Sequence, residues 1–387
     1  MSVSRLKDIP GIGVDRMGNA ADALNNSEIL RLENLDTDFS PPPEAIEATI
    51  AAVTSDSANS YLPFLGDKTL RQAVSARMKA LTGVSYDWQS QTLISAGGLS
   101  GVLNVLLATL EPGDEVIVTD PVYGGLLNRI RLAGGVPRFA PLTVVDGEWR
   151  LDLERFQDAI SPRTKAILTL SPSMPTGFVM NTLEWQAVEQ ACAETGAWII
   201  HDAAMERIVF DDLPLIHPAS MEGLRERTIS IGSVSKEYRM IGWRVGWITG
   251  PTEIIHDVGL ACLSNVVCQV GIAMPAATAA LNSKNDGVQA AIREWQRRRN
   301  FLLEELHDLP VVRPQGGWSL LIDTKALGIA PKEASRLLLQ RGQVAATAMT
   351  GWGTEEIAGR YLRFVYSNES VERLKDIRER IRVSWSL

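Results

Sequence analysis

The stretch SIGSVSKEYRMIGWRVGWITG, starting at Ser230, places a lysine, two hydroxyls and an arginine where they could act together. Ser233, Ser235 and Lys236 follow an apolar run, and Arg244 comes eight residues after the lysine. A lone lysine is usually a solvated surface charge. This one lies between an apolar run on one side and MIGWRVGW on the other, a setting that lowers an ammonium pKa and suits a Schiff-base lysine. A guanidinium beside hydroxyls can hold a phosphate dianion, because arginine pairs bidentately with phosphate oxygens. A structural turn is the alternative.

The elements around this stretch suit a ligand site. From about residue 60 to 250, short β-branched runs (EVIVTD, KAILTLSP, AWIIHD, TISIGS) alternate with helical stretches such as LSGVLNVLLATLEPGD and TLEWQAVEQACAETG. Continuous apolar strands bounded by Gly, Pro and Asp predict a parallel sheet covered on both faces, an α/β doubly wound pattern. The small polar residues cluster where these strands end, and ligands bind at the carboxyl edge of such a sheet. Beyond about residue 275 the texture changes. DGVQAAIREWQRRRNFLLEELHDL reads as one long amphipathic helix, followed by a smaller α+β pattern with a closing helix. The predicted organisation is a large domain over residues 46–275 and a small domain formed by 1–45 and 276–387. The opening segment is expected to be an arm that packs with the C-terminal unit and enters a helix at the prolines of DFSPPPEAIEATI.

Composition narrows the function. The 387 residues are 45% hydrophobic and 22% charged, enough apolar material for a large core. A net charge of −8 and a pI near 5.3 argue against nucleic-acid and anionic-membrane partners. No apolar run is long enough for a signal peptide or a membrane span. Cys192, Cys262 and Cys268 are odd in number and lack a CxxC spacing, so they predict buried free thiols rather than a disulfide framework or a metal site. The expectation is a cytoplasmic protein. GIGVDRMG follows no strand and lacks the GxGxxG spacing of a nicotinamide site.

The lysine stretch resembles the pyridoxal phosphate (PLP) segment of the class I and II aminotransferase family, S-x-S-K-x-(F/Y)-x-M-x-G-W-R-x-G. Five further segments resemble that family in order along the chain. They are YLPFLGDKTLRQAV, SAGGLSGVL with EPGDEVIVTDPVYGG, SPSMPTG for N-P-x-N-P-T-G, HDAAMERIVF for D-E-x-Y-x-x-x-x-F, and YLRFVYS. The resemblance implies a fold-type I PLP transferase similar to aspartate aminotransferases. It assigns Lys236 as the lysine that bonds PLP and carries the substrate proton, and Asp202 as the partner of the pyridine nitrogen. Without the resemblance, Asp202 reads as a helix cap or turn residue. The phosphate would fall to the backbone of Gly98 and Leu99 with Ser233 and Arg244, since helix N-termini bind anions. Leu99 stands where the family often has a hydroxyl. Tyr123 would stack on the ring. Tyr61 and Asn265 match positions that reach the partner subunit's cofactor, which implies a homodimer with composite sites. Arg363 would fork onto the substrate α-carboxylate; a surface arginine is the alternative.

Two departures bear on the chemistry. The family asparagine of N-P-x-N and tyrosine of D-E-x-Y both donate to the cofactor phenolate, and here the positions are Met174 and Met205. Methionine sulfur is only a weak acceptor. A hydrogen bond to a charged group contributes about 1.5–3 kcal/mol. Losing two is predicted to raise the pKa of the lysine–PLP imine by roughly one or two units. Ser171, Ser173 or a water are the candidate replacements. Second, in LENLDTDFSPP the family glycine is Leu35, flanked by Asn34, which predicts a crowded substrate side with Met174 leaving Arg363 less support. Trp318 and Trp352 are expected nearby. No second arginine is evident near LSNVVCQ. The reading is an aminotransferase acting between an α-amino acid with an apolar or aromatic side chain and a 2-oxo acid. The alternatives are a fold-type I PLP lyase or specialised biosynthetic enzyme and a non-catalytic PLP-binding protein.

Overall fold

The computed structural model describes residues 4–7, 9 and 11–386. Residues 1–3, 8 and 10 of the predicted arm, and residue 387, lie outside the described residues. An eight-stranded sheet organises the larger part of the chain, in the order β2-β9-β8-β7-β6-β3-β4-β5. Its strands are β2 (Thr92–Ser95), β3 (Glu115–Asp120), β4 (Val136–Val145), β5 (Glu148–Leu151), β6 (Thr164–Leu170), β7 (Trp198–Asp202), β8 (Thr228–Ser233) and β9 (Gly246–Thr249). The central strands β4, β3, β6, β7 and β8 run parallel, while β9 is antiparallel to both β8 and β2. The four apolar runs picked out in the sequence are β3, β6, β7 and β8. Their residues are almost all buried, as a sheet covered on both faces requires.

One consequence of this topology positions the site. Because β9 is antiparallel to its two neighbours, β2 and β8 point the same way, so β2, β3, β6, β7 and β8 all end on one edge. Close backbone packing holds that edge together. A Cβ on Gly246 would lie 2.7 Å from the Gly97 carbonyl carbon, so only glycine lets the start of β9 touch the turn after β2.

The C-terminal part forms a four-stranded antiparallel sheet, β10-β11-β14-β13, with β10 Val311–Val312, β11 Ser319–Asp323, β13 Thr347–Ala348 and β14 Tyr361–Val365. The long helix predicted from periodicity spans Val288–Glu305 and buries Trp295 and Leu302. The closing helix comes in two pieces, Val371–Leu374 and Ile377–Trp385. The arm packs as expected on this unit: β1 (Leu30–Arg31) pairs in parallel with β12 (Val344–Ala345). The proline-led helix is Pro43–Val53. It shares a core cluster with helix Met274–Asn282 and with Trp247 of β9.

Cys192 and Cys262 are buried free thiols. Cys268 corrects the expectation: it sits just past the C-cap of helix Thr252–Val266 and is only half-buried. Among the described residues no single helix is long and apolar enough to cross a membrane.

Candidate active site

The carboxyl edge of the large sheet opens onto a cavity of about 470 Å³ that brings most of the predicted residues together. Leu99, Tyr123, Met174, Asp202, Met205 and Lys236 line it from the large sheet's side. Asn34, Leu35 and Arg363 close it from the arm and the small sheet. Gly98, Ser233 and Arg244 lie outside the lining, and so do Tyr61 and Asn265. Tyr61 is 83% exposed, and exposed Asn265 donates to the Asn104 side chain at 3.1 Å.

Lys236 sits in the turn after β8, which is closed by backbone bonds from Val234 N–H to Val245 and from Met240 N–H to Val234. Its Nζ donates to the Leu35 carbonyl at 2.8 Å and lies 4.9 Å from the Trp318 ring centroid. Burial pulls the ammonium down to about 7, with Asp36 opposing and Arg363 and Arg244 assisting. Near neutral pH a large fraction of this amine is therefore uncharged and nucleophilic. The next residue anchors the turn. The buried Glu237 carboxylate accepts from Arg77 at 2.9 Å and from Arg207 at 2.7 Å, and Arg207 also pairs with Asp286 at 2.8 Å.

Asp202 ends β7, between β6 and β8, with its Oδ1 accepting the Ala204 N–H at 3.1 Å. Burial pushes its carboxyl up to about 6 against the downward pull of that N–H, Arg129 and Lys236. A buried carboxylate without a full cationic partner calls for one, and a protonated ring nitrogen is such a partner.

The residues expected at a phosphate join a helix N-terminus to a guanidinium and two hydroxyls. Helix Gly98–Thr109 begins without a side-chain cap, which leaves first-turn N–H groups available. Gly97, at φ 82°, brings this turn so close to Arg244 that an added Cβ would lie 2.5 Å from Nη2. Arg244 Nη1 donates to Ser235 Oγ at 3.3 Å, and Ser233 Oγ is 2.9 Å from Ser235 Oγ. Backbone N–H groups, two hydroxyls and a guanidinium thus converge beside Lys236. The residues present fit PLP.

Arg363, expected at the substrate carboxylate, occupies β14, paired on both edges by β11 and β13, and is 1% exposed. It is no surface arginine. Nη1 donates to Met174 Sδ at 3.6 Å, Nη2 donates to the Glu33 carbonyl, and Nε is buried without a partner. The guanidinium lies 4.8 Å from the Trp352 ring, which meets Tyr123 edge-on at 5.3 Å. Burial lowers its pKa to about 10, with Tyr123 and Glu33 opposing.

Met174 and Met205 are both buried at the cavity wall, and neither side chain supplies an N–H or O–H. Of the two serine candidates, Ser171 Oγ accepts the Met180 N–H at 3.0 Å, which leaves its O–H free, and the residue lies outside the cavity lining. Ser173 Oγ is buried and unpartnered, and Ser173 lies outside the cavity lining.

The sequence reading missed three arm residues at the cavity, Ile12, Val14 and Asp15, and, outside the lining, Arg129, which donates to the Leu99 carbonyl. The signal for the first group is an apolar pair, Ile12 and Val14, at the start of helix Val14–Ala23. Behind β7, buried His201, Glu206 and His217 place possible ligand atoms within 4.8 Å of one another. His217 Nδ1 accepts the Ala219 N–H at 3.1 Å, which fixes the ring proton on Nε2 and turns no free lone pair toward Glu206. That group is a hydrogen-bonded core cluster.

Comparison with known proteins agrees with this geometry. The sequence profile of "Aminotransferase class I and II" matches residues 27–381. Aromatic-amino-acid aminotransferase 2 of Thermococcus litoralis is 27% identical over 382 residues, covering 94% of this chain and 97% of that protein. An arginine–pyruvate transaminase of Pseudomonas aeruginosa is 30% identical over 330 residues, covering 84% and 83%. The solved N-succinyldiaminopimelate aminotransferase from Mycobacterium tuberculosis superposes with a TM-score of 0.92 at 27% identity, covering 99% of this chain and 100% of that one.

Proposed function

The chain belongs to the aminotransferase class I and II family, and from that premise we propose that its amino donor is an α-amino acid with an apolar or aromatic side chain. The protein is a PLP-dependent aminotransferase of fold type I, a transferase working between an amino acid and a 2-oxo acid. The relatives reported above are all transaminases by name, and none supports the lyase alternative. Their named substrates differ widely, so the side-chain preference must come from this chain's own cavity.

One observation carries that preference. Among the described residues lining the cavity, Arg363 and Lys236 are the only cations, and the remaining wall is largely Ile12, Val14, Leu35, Tyr123, Met174 and Met205. If Arg363 takes the α-carboxylate, a second, distal carboxylate meets apolar wall and the Asp15 carboxylate, at a desolvation cost without a compensating partner.

The residues then divide the work. When bound, PLP supplies an electron-withdrawing ring that stabilises negative charge at the substrate Cα. Gly98, Leu99, Ser233 and Arg244 would hold its phosphate, Tyr123 would pack against the ring, and Asp202 would keep the ring nitrogen protonated. The Met174 and Met205 side chains would offer the phenolate no donor. Lys236, as a neutral amine, removes the Cα proton. Arg363 orients the carboxylate, while Leu35 and Asn34 cover the substrate from the arm side.

We also propose a homodimer with composite sites. In support, Tyr61, Phe64, Leu107, Leu260, Leu263 and Val267 are exposed, an amount of bare apolar surface suited to a partner subunit. We propose the division read from the sequence, 46–275 against 1–45 with 276–387, with its later boundary moved to about residues 283–287, because helix Met274–Asn282 shares a core cluster with Trp247 of the larger unit. A cytoplasmic setting is proposed on the unpaired thiols.

The test is a substrate panel on purified holoenzyme without an acceptor. Spectral conversion to the pyridoxamine form with leucine, methionine, phenylalanine or tyrosine, at rates at least tenfold above aspartate and glutamate, is the expected result. Preference for the acidic donors would overturn the substrate proposal.

A further inference from the structure

Arg129 belongs to none of the motifs that carry the family resemblance, yet its side chain joins two parts of the cofactor site. It lies on helix Gly124–Leu132, directly after Tyr123. Its Nε donates to the Leu99 carbonyl at 2.8 Å, in the first turn of helix Gly98–Thr109, and its Nη1 donates to the Gly125 carbonyl at 2.8 Å. The first bond reaches the turn assigned to the phosphate. The second reaches the turn that follows the ring-facing tyrosine. Apolar side chains of the two helices share one core cluster, and such contacts fix distance better than orientation.

We propose that Arg129 is a positioning residue of the cofactor site, clamping the phosphate turn to the Tyr123 turn and setting a permanent cation near the Asp202 carboxylate. This rests on the PLP reading of the cavity. Three observations beyond the two bonds support it. Arg129 is largely withdrawn from solvent, and burial lowers its own pKa. The groups that interact with it electrostatically are Tyr123, Asp202 and Arg244, three residues assigned to the cofactor. Around Asp202, its field stands beside the Ala204 N–H and Lys236 as what opposes the cost of burial. Lys236 cannot sustain that role once its amine is neutral, whereas a guanidinium stays charged at every working pH. His201, next in sequence to Asp202, points to the opposite face of β7 and contacts Thr169 and His217 instead.

The experiment measures PLP binding to apoprotein by tryptophan fluorescence, for wild type, Arg129→Met and Arg129→Lys, at pH 8.0 and pH 6.5, with thermal unfolding of each apo form alongside. Arg129→Met is expected to bind PLP at least tenfold more weakly at pH 8.0, and the deficit should widen at least threefold at pH 6.5. The sign follows from Asp202: without the cation its carboxyl titrates higher, so the anion that PLP needs is lost at higher pH. Arg129→Lys keeps the charge but not the two-carbonyl fork. It should abolish the extra pH dependence while retaining part of the affinity loss. PLP binding by Arg129→Met within twofold of wild type at both pH values would overturn the proposal. A deficit identical at both pH values would overturn the charge half and leave the clamp. If Arg129→Met does not fold, the Arg129→Lys comparison decides, and Arg129→Lys indistinguishable from wild type at both pH values refutes the clamp. Failure of wild type to bind PLP would refute the cofactor reading instead.

Discussion

The Nη1 of Arg363 donates to the thioether sulfur of Met174 at 3.6 Å, in a buried contact where the family motif has an asparagine. Sulfur accepts weakly, so this guanidinium is held more loosely by its neighbour than an amide oxygen would hold it. Its firmest protein partner is the Glu33 carbonyl, and its Nε is left unsatisfied. An arginine so placed has donors to spare for an incoming carboxylate.

The first prediction concerns that spare capacity. Arg363→Gln should lower kcat/KM for α-amino acids by about a hundredfold or more, because losing a charge-assisted pair in a desolvated site costs roughly 2–5 kcal/mol. Arg363→Lys should recover little, since a point charge does not reproduce the fork. Steady-state kinetics on a good donor read this directly, and a loss below fivefold for Arg363→Gln would remove Arg363 from the substrate site.

A second prediction uses the two methionines. With no protein N–H or O–H at positions 174 and 205, the lysine–PLP imine should stay protonated through neutral and mildly alkaline pH. Met205→Tyr, which puts a phenol back at that wall, should lower the midpoint of the visible-band pH titration by about one unit, equal to about 1.4 kcal/mol. A wild-type midpoint below neutrality, or one unmoved in Met205→Tyr, would contradict the account.

A third prediction is thermodynamic. In the apoprotein Asp202 titrates at about 6, against 3.8 for an ordinary aspartate. The folded state therefore binds more protons than the unfolded state between those values. Stability falls as pH rises through that window, and the cost is fully present above it. Two units correspond to about 3 kcal/mol. Apo Asp202→Asn should accordingly be more stable than the apo wild type at pH 7.5, by up to about 3 kcal/mol, and nearly equal to it at pH 4. It should also bind PLP far more weakly. Urea unfolding at the two pH values checks the first part, and equal stabilities at pH 7.5 would show that Asp202 carries no such burden.

What could be read from the sequence follows the range of the interactions. Lys236, Asp202 and Tyr123 stand at the ends of apolar strands, and strand ends are marked locally by Gly, Pro and small polar residues. Their convergence follows once the sheet is known to be parallel. Ile12, Val14 and Asp15 reach the cavity by an arm whose path is set by pairing some 300 residues away, between Leu30 and Val344. No local pattern encodes that. Arg129 is hidden for a different reason: in GGLLNRIRL it reads as one of two arginines on a surface helix. Only the packing of that helix on Gly98–Thr109 turns its stem inward. The change of texture near residue 275 is real in composition, but Met274–Asn282 is apolar enough to pack back onto the large unit.

The last prediction tests the composite site. Tyr61 stands 83% exposed and outside its own chain's cavity, so any role at the cofactor must be played in the partner subunit. Two variants should then complement one another. Tyr61→Ala removes the donated residue, and Lys236→Ala removes the base, which should cost at least a thousandfold in rate. In a hybrid dimer one site combines both defects, while the other keeps Lys236 from one chain and Tyr61 from its partner. Unfolding and refolding the two variants together should therefore restore one wild-type site per hybrid, with a PLP affinity that neither parent shows. If the mixture never exceeds the average of the parents while native mass measurement confirms hybrid dimers, Tyr61 does not act across the interface. If the wild-type chain is monomeric at micromolar concentration and active, the composite site fails altogether.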